Sequence, residues 1–207
     1  MRTLAAALVT LALVLPSIAP AADAPAVADA AKKRTEALIA AFGRVKPGGE
    51  AANAALFREL DGFLAFDVLI DAALATRADR FTAAQRASFE QTFRTLLREM
   101  AYPNAGRFFG EAKVRIAGAK PAEGGAVVRI DAYVPKEDLD TVVGVHWKEI
   151  DGALRIVDVD FDGDSLVLDY RNQFAAIIDK EGADGLLRKV QEKLDEVRKG
   201  GAAKEKE

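Results

Sequence analysis

The hydrophobic period of this 207-residue chain changes twice, and those two changes limit what it can fold into. Up to about residue 100 apolar residues recur three and four apart, as on one face of a helix. From about 112 to 161 they recur at every second position, as on one face of a strand. After 165 the helical spacing returns. Helices, then a meander of strands, then helices is the pattern of an α+β domain. Four antiparallel strands with one apolar face each need a cover on that face, and the helices are the only elements able to supply it.

The elements read as follows. Residues 22–30 are rich in Ala, Pro and Asp and read as a loose leader. A helix is expected over 27–43, with Ala37, Leu38, Ala41 and Phe42 on one side, broken by Lys46-Pro47-Gly48-Gly49. A second is expected over 50–74, carrying Leu56, Phe57, Leu60, Phe63, Leu64 and Leu69, with a bend near Asp61-Gly62 or Phe66-Asp67. Thr82-Ala83-Ala84-Gln85 is a capping box: the Thr hydroxyl accepts from the Gln85 amide and the Gln side chain reaches back. The helix it opens places Phe89, Phe93, Leu96, Leu97 and Met100 on a single face. Pro103 and Gly106 put the shape of its far end in question. In the strand region Val114 and Ile116, then Val128, Ile130, Ala132 and Val134, then Val143, Val145 and Trp147, then Val157, Val159 and Phe161 alternate with polar or small residues. Glu123-Gly124-Gly125 and Asp151-Gly152 mark hairpin turns. Two closing helices are expected over 166–180 and 183–199, the second with Leu187, Val190, Leu194 and Val197 on one side. Residues 200–207 read as a charged, disordered tail.

The N-terminus reads as a secretory signal over residues 1–21. Arg2 gives the positive start, the apolar run over 4–15 is too short to span a bilayer, and Ala19-Pro20-Ala21 offers small residues for cleavage after Ala21. The remaining 22–199 is expected to be one domain, long enough for a sizeable core. The absence of Cys fits an exported protein that does without disulfides, and it excludes thiol catalysis and thiolate metal sites. With 29 Lys and Arg against 32 Asp and Glu, the chain lacks the basic balance of a nucleic-acid binder.

Candidate chemistry is sparse. His146 is the only histidine, lies mid-strand and has no nucleophile beside it in sequence. Asp158-Val159-Asp160-Phe161-Asp162-Gly163 matches the start of a calcium loop, with Asp169 at the twelfth position. A strand precedes it where such a loop needs a helix, so no metal site is expected. Asp67 and Asp158 are the candidates for acid–base work, but a helix-start or turn hydrogen bond accounts for each without catalysis. Gly-x-Ser-x-Gly and phosphate-binding loops are absent. No catalytic residue is assigned. Eleven Phe against one Trp and three Tyr is a bias to aromatic packing without a polar handle. Such residues either fill an ordinary core or line a hollow, and periodicity does not separate the two.

One stretch carries a resemblance. Gly163-Asp164-Ser165-Leu166-Val167 followed by Tyr170-Arg171-Asn172-Gln173-Phe174 resembles the signature of the MlaC (toluene-tolerance) family, in which a strand ends in Gly-Val-Ser-Leu-Val and enters a helix through Tyr-Arg-x-x-Phe. Asp164 departs from the usual Val. Phe66-Asp67 with Ala72-Ala73-Leu74, the Thr82–Arg86 helix start, and Gly185-Leu186-Leu187 are similar to further family motifs, in the family's order. Together they span roughly 30–195. Pro103 and Gly106 stand where the family usually continues a helix.

The resemblance implies a four-stranded antiparallel curved sheet, covered by helices on its concave face, that encloses an apolar lipid cavity. It implies a periplasmic phospholipid carrier, shuttling lipid between outer- and inner-membrane complexes of an ABC-type transport system. The implied partners are phospholipid, an inner-membrane ABC transporter with a lipid-binding ring subunit, and an outer-membrane lipoprotein/porin complex. No cofactor is implied beyond the phospholipid cargo, and a monomer is expected. The resemblance, with the apolar faces, nominates as lining Phe63, Leu64, Phe89, Phe93 and Leu97 from the helices. From the sheet it nominates Val145, Trp147, Val159 and Phe161, and from the motif after the last strand Leu166, Tyr170 and Phe174. Three alternatives stand beside this: another lipid such as a hopanoid, a small hydrolase or isomerase on a related cone-shaped fold, and a structural adaptor with a filled core.

Overall fold

The structure is a computed structural model that describes residues 24–47 and 49–204. The expected signal over 1–21 lies outside the described residues.

Helix α1 (Ala24–Phe42) begins inside the segment read as a loose leader. Ala28, Ala31, Thr35 and Leu38 recur at helical spacing on its buried side. Small residues there let α1 lie close on β1 (Lys113–Ala122) and β2 (Gly125–Val134). Alanine carries little periodic signal of its own, so the opening of α1, before the helix expected from 27, reads as part of the loose leader.

The helix expected over 50–74 is split into α2 (Gly49–Asp61) and α3 (Phe66–Leu74). The reason is tertiary. The intervening segment runs beside β4 (Ala153–Phe161): Ile156 N donates to Phe63 O at 2.7 Å and Ala65 N donates to Ile156 O at 3.0 Å. Leu64 thereby forms a short parallel bridge with Ile156. Covering part of an exposed strand edge satisfies backbone groups that would otherwise stay unpaired.

A 3₁₀ segment, Ala75–Arg80, leads to α4 (Ala83–Leu96), whose capping box is formed: Gln85 N donates to Thr82 Oγ1 at 3.2 Å and Thr82 N to Gln85 Oε1 at 2.9 Å. Pro103 and Gly106 do not end the helical run. A π turn over Leu97–Ala101 shifts the ladder by one residue, with Tyr102 N–H donating to Leu97 O, and α5 (Tyr102–Glu111) continues. Pro103 falls in the first turn of α5, where its missing N–H costs little. Gly106 is a point of close approach: a Cβ there would stand 2.7 Å from Val45 Cβ.

The curved, open sheet is wholly antiparallel in the order β1-β2-β3-β4-β5, with β3 over Leu139–Ile150. It has five strands against the four expected. The extra one, β5 (Asp164–Ser165), returns along the end of β4 and is too short to leave a periodic trace. Ala126, Val128, Ile130, Ala132 and Val134 of β2 are all buried on the inner face, as alternation requires. The expected alternation in β4 is corrected at one point. His146 pairs with Asp158 but Trp147 pairs with Ile156, so a bulge at Val157 places Ile156, not Val157, on the inner face. Helix α6 (Leu166–Lys204) contains both closing helices, divided at Gly182, whose φ of 72° is left-handed. It runs on to Lys204, past the expected end at 199 and into the expected tail; residues 205–207 lie outside the described ones.

These elements make two apolar cores. One joins the sheet to α1, α2 and α5 around Phe57, Leu60, Val128 and Trp147. The other joins α3, α4 and α6 around Ile70, Phe89, Phe174 and Leu186.

Candidate functional site

Between the two cores lies an apolar hollow of about 460 Å³. Its walls come from both sides of the seam. Leu38 and Phe42 of α1, Leu60, and Val143, Val145 and Ile156 belong to the sheet core, whereas Ala73 and Phe93 belong to the helical one. The π turn sets Leu97, Met100 and Ala101 along the hollow, and α5 adds Phe108 and Phe109. The volume lies within the roughly 300–1,000 Å³ of small-molecule sites.

Eight of the twelve nominated residues meet at this hollow: Leu64, Phe93, Leu97, Val145, Val159, Phe161, Leu166 and Tyr170. Four do not line it. Phe63 and Trp147 pack on each other with centroids 6.3 Å apart, under the Arg34 guanidinium, which stands 4.8 Å over Phe63. The Trp147 indole is further held by donating to the buried Thr35 hydroxyl at 2.9 Å. Phe89 and Phe174 fill the helical core, edge to face at 5.5 Å. The nominations omitted Phe108, Phe109 and Tyr102. Their signal was present as apolar positions at helical spacing, but Pro103 and Gly106 obscured it. Phe42 lay on the expected apolar face of the first helix and was not nominated.

The polar groups at the wall are few and mostly engaged. Asp158 points toward the start of α6, where it accepts from Ser165 Oγ at 2.5 Å, Val167 N at 3.1 Å and Val159 N at 2.8 Å. Ser165 in turn accepts from Leu168 N at 3.0 Å, so the first turn of α6 is capped from within. Tyr102 donates to Asp61 Oδ1 at 2.8 Å, and Asp61 also holds Arg98 of the π turn. Burial first, then the Asp61 carboxylate, pushes the Tyr102 phenol far above the usual tyrosine range. Tyr170 differs: its phenol is also pushed up, by burial alone, with no hydrogen-bond partner among the described residues.

The aspartate run does not converge. Asp158 serves α6, Asp160 meets His146 Nε2 at 2.6 Å, and Asp162 accepts from Thr141 Oγ1 at 3.0 Å and Val142 N at 2.8 Å. Calcium is therefore expected to leave the melting temperature unchanged, because an ion bound only to the folded state raises it by mass action. A rise of several degrees in millimolar calcium, abolished by Asp160→Ala, would contradict this.

The geometry is that of a hollow with an apolar wall. No curated protein matches the chain. Among solved structures, it is similar to a phospholipid-binding protein from Ralstonia solanacearum, solved in complex with a phospholipid. The two share 18% identity with a TM-score of 0.66, over 86% of this chain and 99% of that one; at that identity the likeness is one of fold. The family model described as MlaC protein matches residues 32–192, which include every residue that lines the hollow, from Leu38 of α1 to Tyr170 of α6. This chain therefore belongs to the MlaC family.

Proposed function

We propose that this protein is a periplasmic phospholipid carrier and not an enzyme. The observation that supports the reading best is the hollow between the two cores, whose wall is apolar and whose aspartate is consumed by capping α6. Such a wall offers acyl chains an apolar surface and offers a reacting bond no free carboxylate or imidazole. Membership of the MlaC family supports the same reading, and the phospholipid bound to the protein of like fold makes phospholipid the first ligand to test.

The energetics favour a carrier. A two-chain phospholipid exposes roughly thirty methylenes at ~0.8 kcal/mol each, so moving it unaided through water costs on the order of 20 kcal/mol. Enclosing the tails removes much of that cost, and the headgroup can stay hydrated at the mouth. In this reading the acyl chains touch Leu64, Phe93, Leu97, Val145, Val159, Phe161, Leu166 and Tyr170. The chain is exported with cleavage after Ala21, and residues 22–199 act as one lipid-binding domain. It works as a monomer between an inner-membrane ABC transporter with a lipid-binding ring subunit and an outer-membrane lipoprotein/porin complex, and the transporter uses the ATP.

The test is direct. Protein purified from the periplasm is extracted with organic solvent, and the extract is analysed by mass spectrometry. Phospholipid near one molecule per protein is expected. Protein that is folded and free of lipid, and that takes up none from phospholipid vesicles, would refute the carrier reading.

A further inference from the structure

Arg34 of α1 and Arg155 of β4 meet at one backbone carbonyl. Arg34 Nη2 donates to Gly62 O at 3.3 Å, and Arg155 Nη1 donates to the same oxygen at 3.0 Å. Arg44, Arg77, Arg98 and Arg198 each hold a carboxylate, whereas Arg34 and Arg155 make no ion pair among the described residues. The surroundings explain why. Ala30, Ala31, Ala37 and Leu38 stand three and four residues from Arg34 on α1, so no carboxylate shares its helix face. Arg155 stands opposite Lys148 across the β3–β4 hairpin, and like charges in that position repel. The acids next to Gly62 are already taken: Glu59 by Arg44, and Asp61 by Arg98 and Tyr102.

We propose that Arg34 and Arg155, with Lys148 beside them, form a binding site for a phosphate group. Each guanidinium spends one nitrogen on Gly62 O, which leaves N–H donors on both for a ligand. The planar fork of such a group matches the oxygens of an oxyanion with two parallel hydrogen bonds. Two forks and an ammonium group suit a phosphate best. A phosphate monoester carries close to two negative charges at neutral pH and presents three acceptor oxygens. A carboxylate brings one charge and two oxygens, which leaves one fork unmatched.

Arg34 is held in place before any ligand arrives. Its guanidinium stands 4.8 Å over the Phe63 ring and 5.6 Å over the Trp147 ring. The Trp147 indole donates to Thr35, and Thr35 donates to Ala31 O at 2.9 Å, so the aromatic platform is tied back to α1. Arg34 Nε is buried and has no hydrogen-bond partner among the described residues. Burial first, then the Arg155 charge, lowers the Arg34 pKa. Both observations describe a cation that lacks a counter-charge, and a bound anion supplies one.

The site stands apart from the hollow. None of Arg34, Phe63, Trp147, Lys148 and Arg155 lines it. Gly62 and Lys148 are exposed and the two arginines are half-buried, so a ligand reaches the forks from solvent. Two sources present the same oxygens: a free phosphate, or the phosphate of a lipid headgroup in a membrane surface.

The experiment separates the two sources. In one arm inorganic phosphate is titrated into the protein at constant ionic strength, balanced with chloride, and binding is read by calorimetry and by the rise in melting temperature. In the other, protein in phosphate-free buffer is pelleted with vesicles of phosphatidylglycerol. Saturable binding is expected in at least one arm, and the arm that responds identifies the source. Arg155→Gln should weaken it at least about tenfold, the worth of one hydrogen bond to a charged group. Arg107→Gln, at an exposed arginine outside the site, should leave it at the wild-type value. If Arg155→Gln fails to fold, Lys148→Gln, at an exposed position, carries the test with a loss of at least about threefold. Binding in neither arm, including capture of poly-glutamate in place of phosphate, would overturn the proposal. So would wild-type binding by the folded site variant, or an equal loss in Arg107→Gln. A protein that carries no lipid can still bind phosphate here, so failure of the carrier reading is a separate result.

Discussion

Leu97→Glu is expected to give a folded protein that carries no lipid. Leu97 sits in the π turn, is half-buried, and lines the hollow between the two cores. A carboxylate placed there stays hydrated while the hollow is empty and wet. Among acyl chains it would lose that hydration without a partner, at a cost of several kcal/mol even after partial relaxation. Co-purified lipid, measured by extraction and mass spectrometry, should fall to background while circular dichroism and a cooperative melt show a native fold. If the variant unfolds, Leu97 belongs to a packed core. If it folds and still carries lipid, Leu97 does not face the cargo.

Phe89→Ala should have the largest effect on stability. The ring is fully buried, stacks on Phe93 at 5.5 Å, and meets Phe174 edge-on and Phe81 at 5.9 Å. Truncating such a phenylalanine leaves a void that the neighbours fill only in part, and costs about 3–5 kcal/mol. For a chain of this size each kcal/mol lowers the melting temperature by about 2–4 °C, so a drop on the order of 10 °C is expected. Phe108→Ala is the matched control. Phe108 is half-buried at the hollow, where space already exists on one side, so its truncation should cost markedly less in lipid-free protein. Equal losses from the two variants would mean that the hollow is packed as tightly as the helical core.

The contrast between these two phenylalanines marks the limit of what periodicity reveals. Phe89 and Phe93 lie four apart on one face of α4, and nothing local distinguishes them. Phe93 reaches the hollow because it lies nearer the π turn, where α4 meets the sheet side of the seam. Phe89 faces α6 and is enclosed. In the same way Val145 and Trp147 alternate correctly on one strand, yet only Val145 lines the hollow. Trp147 is drawn into a hydrogen bond with Thr35, 112 residues earlier. An apolar face says that a side chain leaves water. It does not say whether protein or cargo receives it.

The sequence by itself determined the order of elements, the antiparallel meander, the Thr82 cap, the Asp151-Gly152 hairpin turn and the division of the closing helices near Gly182. Each of these rests on contacts within a few residues or on a period of two or 3.6, which local composition encodes. The Tyr170–Phe174 motif, with the other motifs in their order, carried the family resemblance, and the family-model match over residues 32–192 shows the family. The bend near Asp61-Gly62 or Phe66-Asp67 was legible, but tertiary structure decided that it is a full break, where the segment between α2 and α3 pairs with a strand edge, and it alone decided the bulge at Val157, which exchanges Val157 for Ile156 on the inner face. It alone decided that the helical run continues past Pro103, through a π turn into α5. It also decided where the hollow lies. Two cores that close separately leave a seam, and the position of a seam depends on how distant elements meet, which no local pattern records.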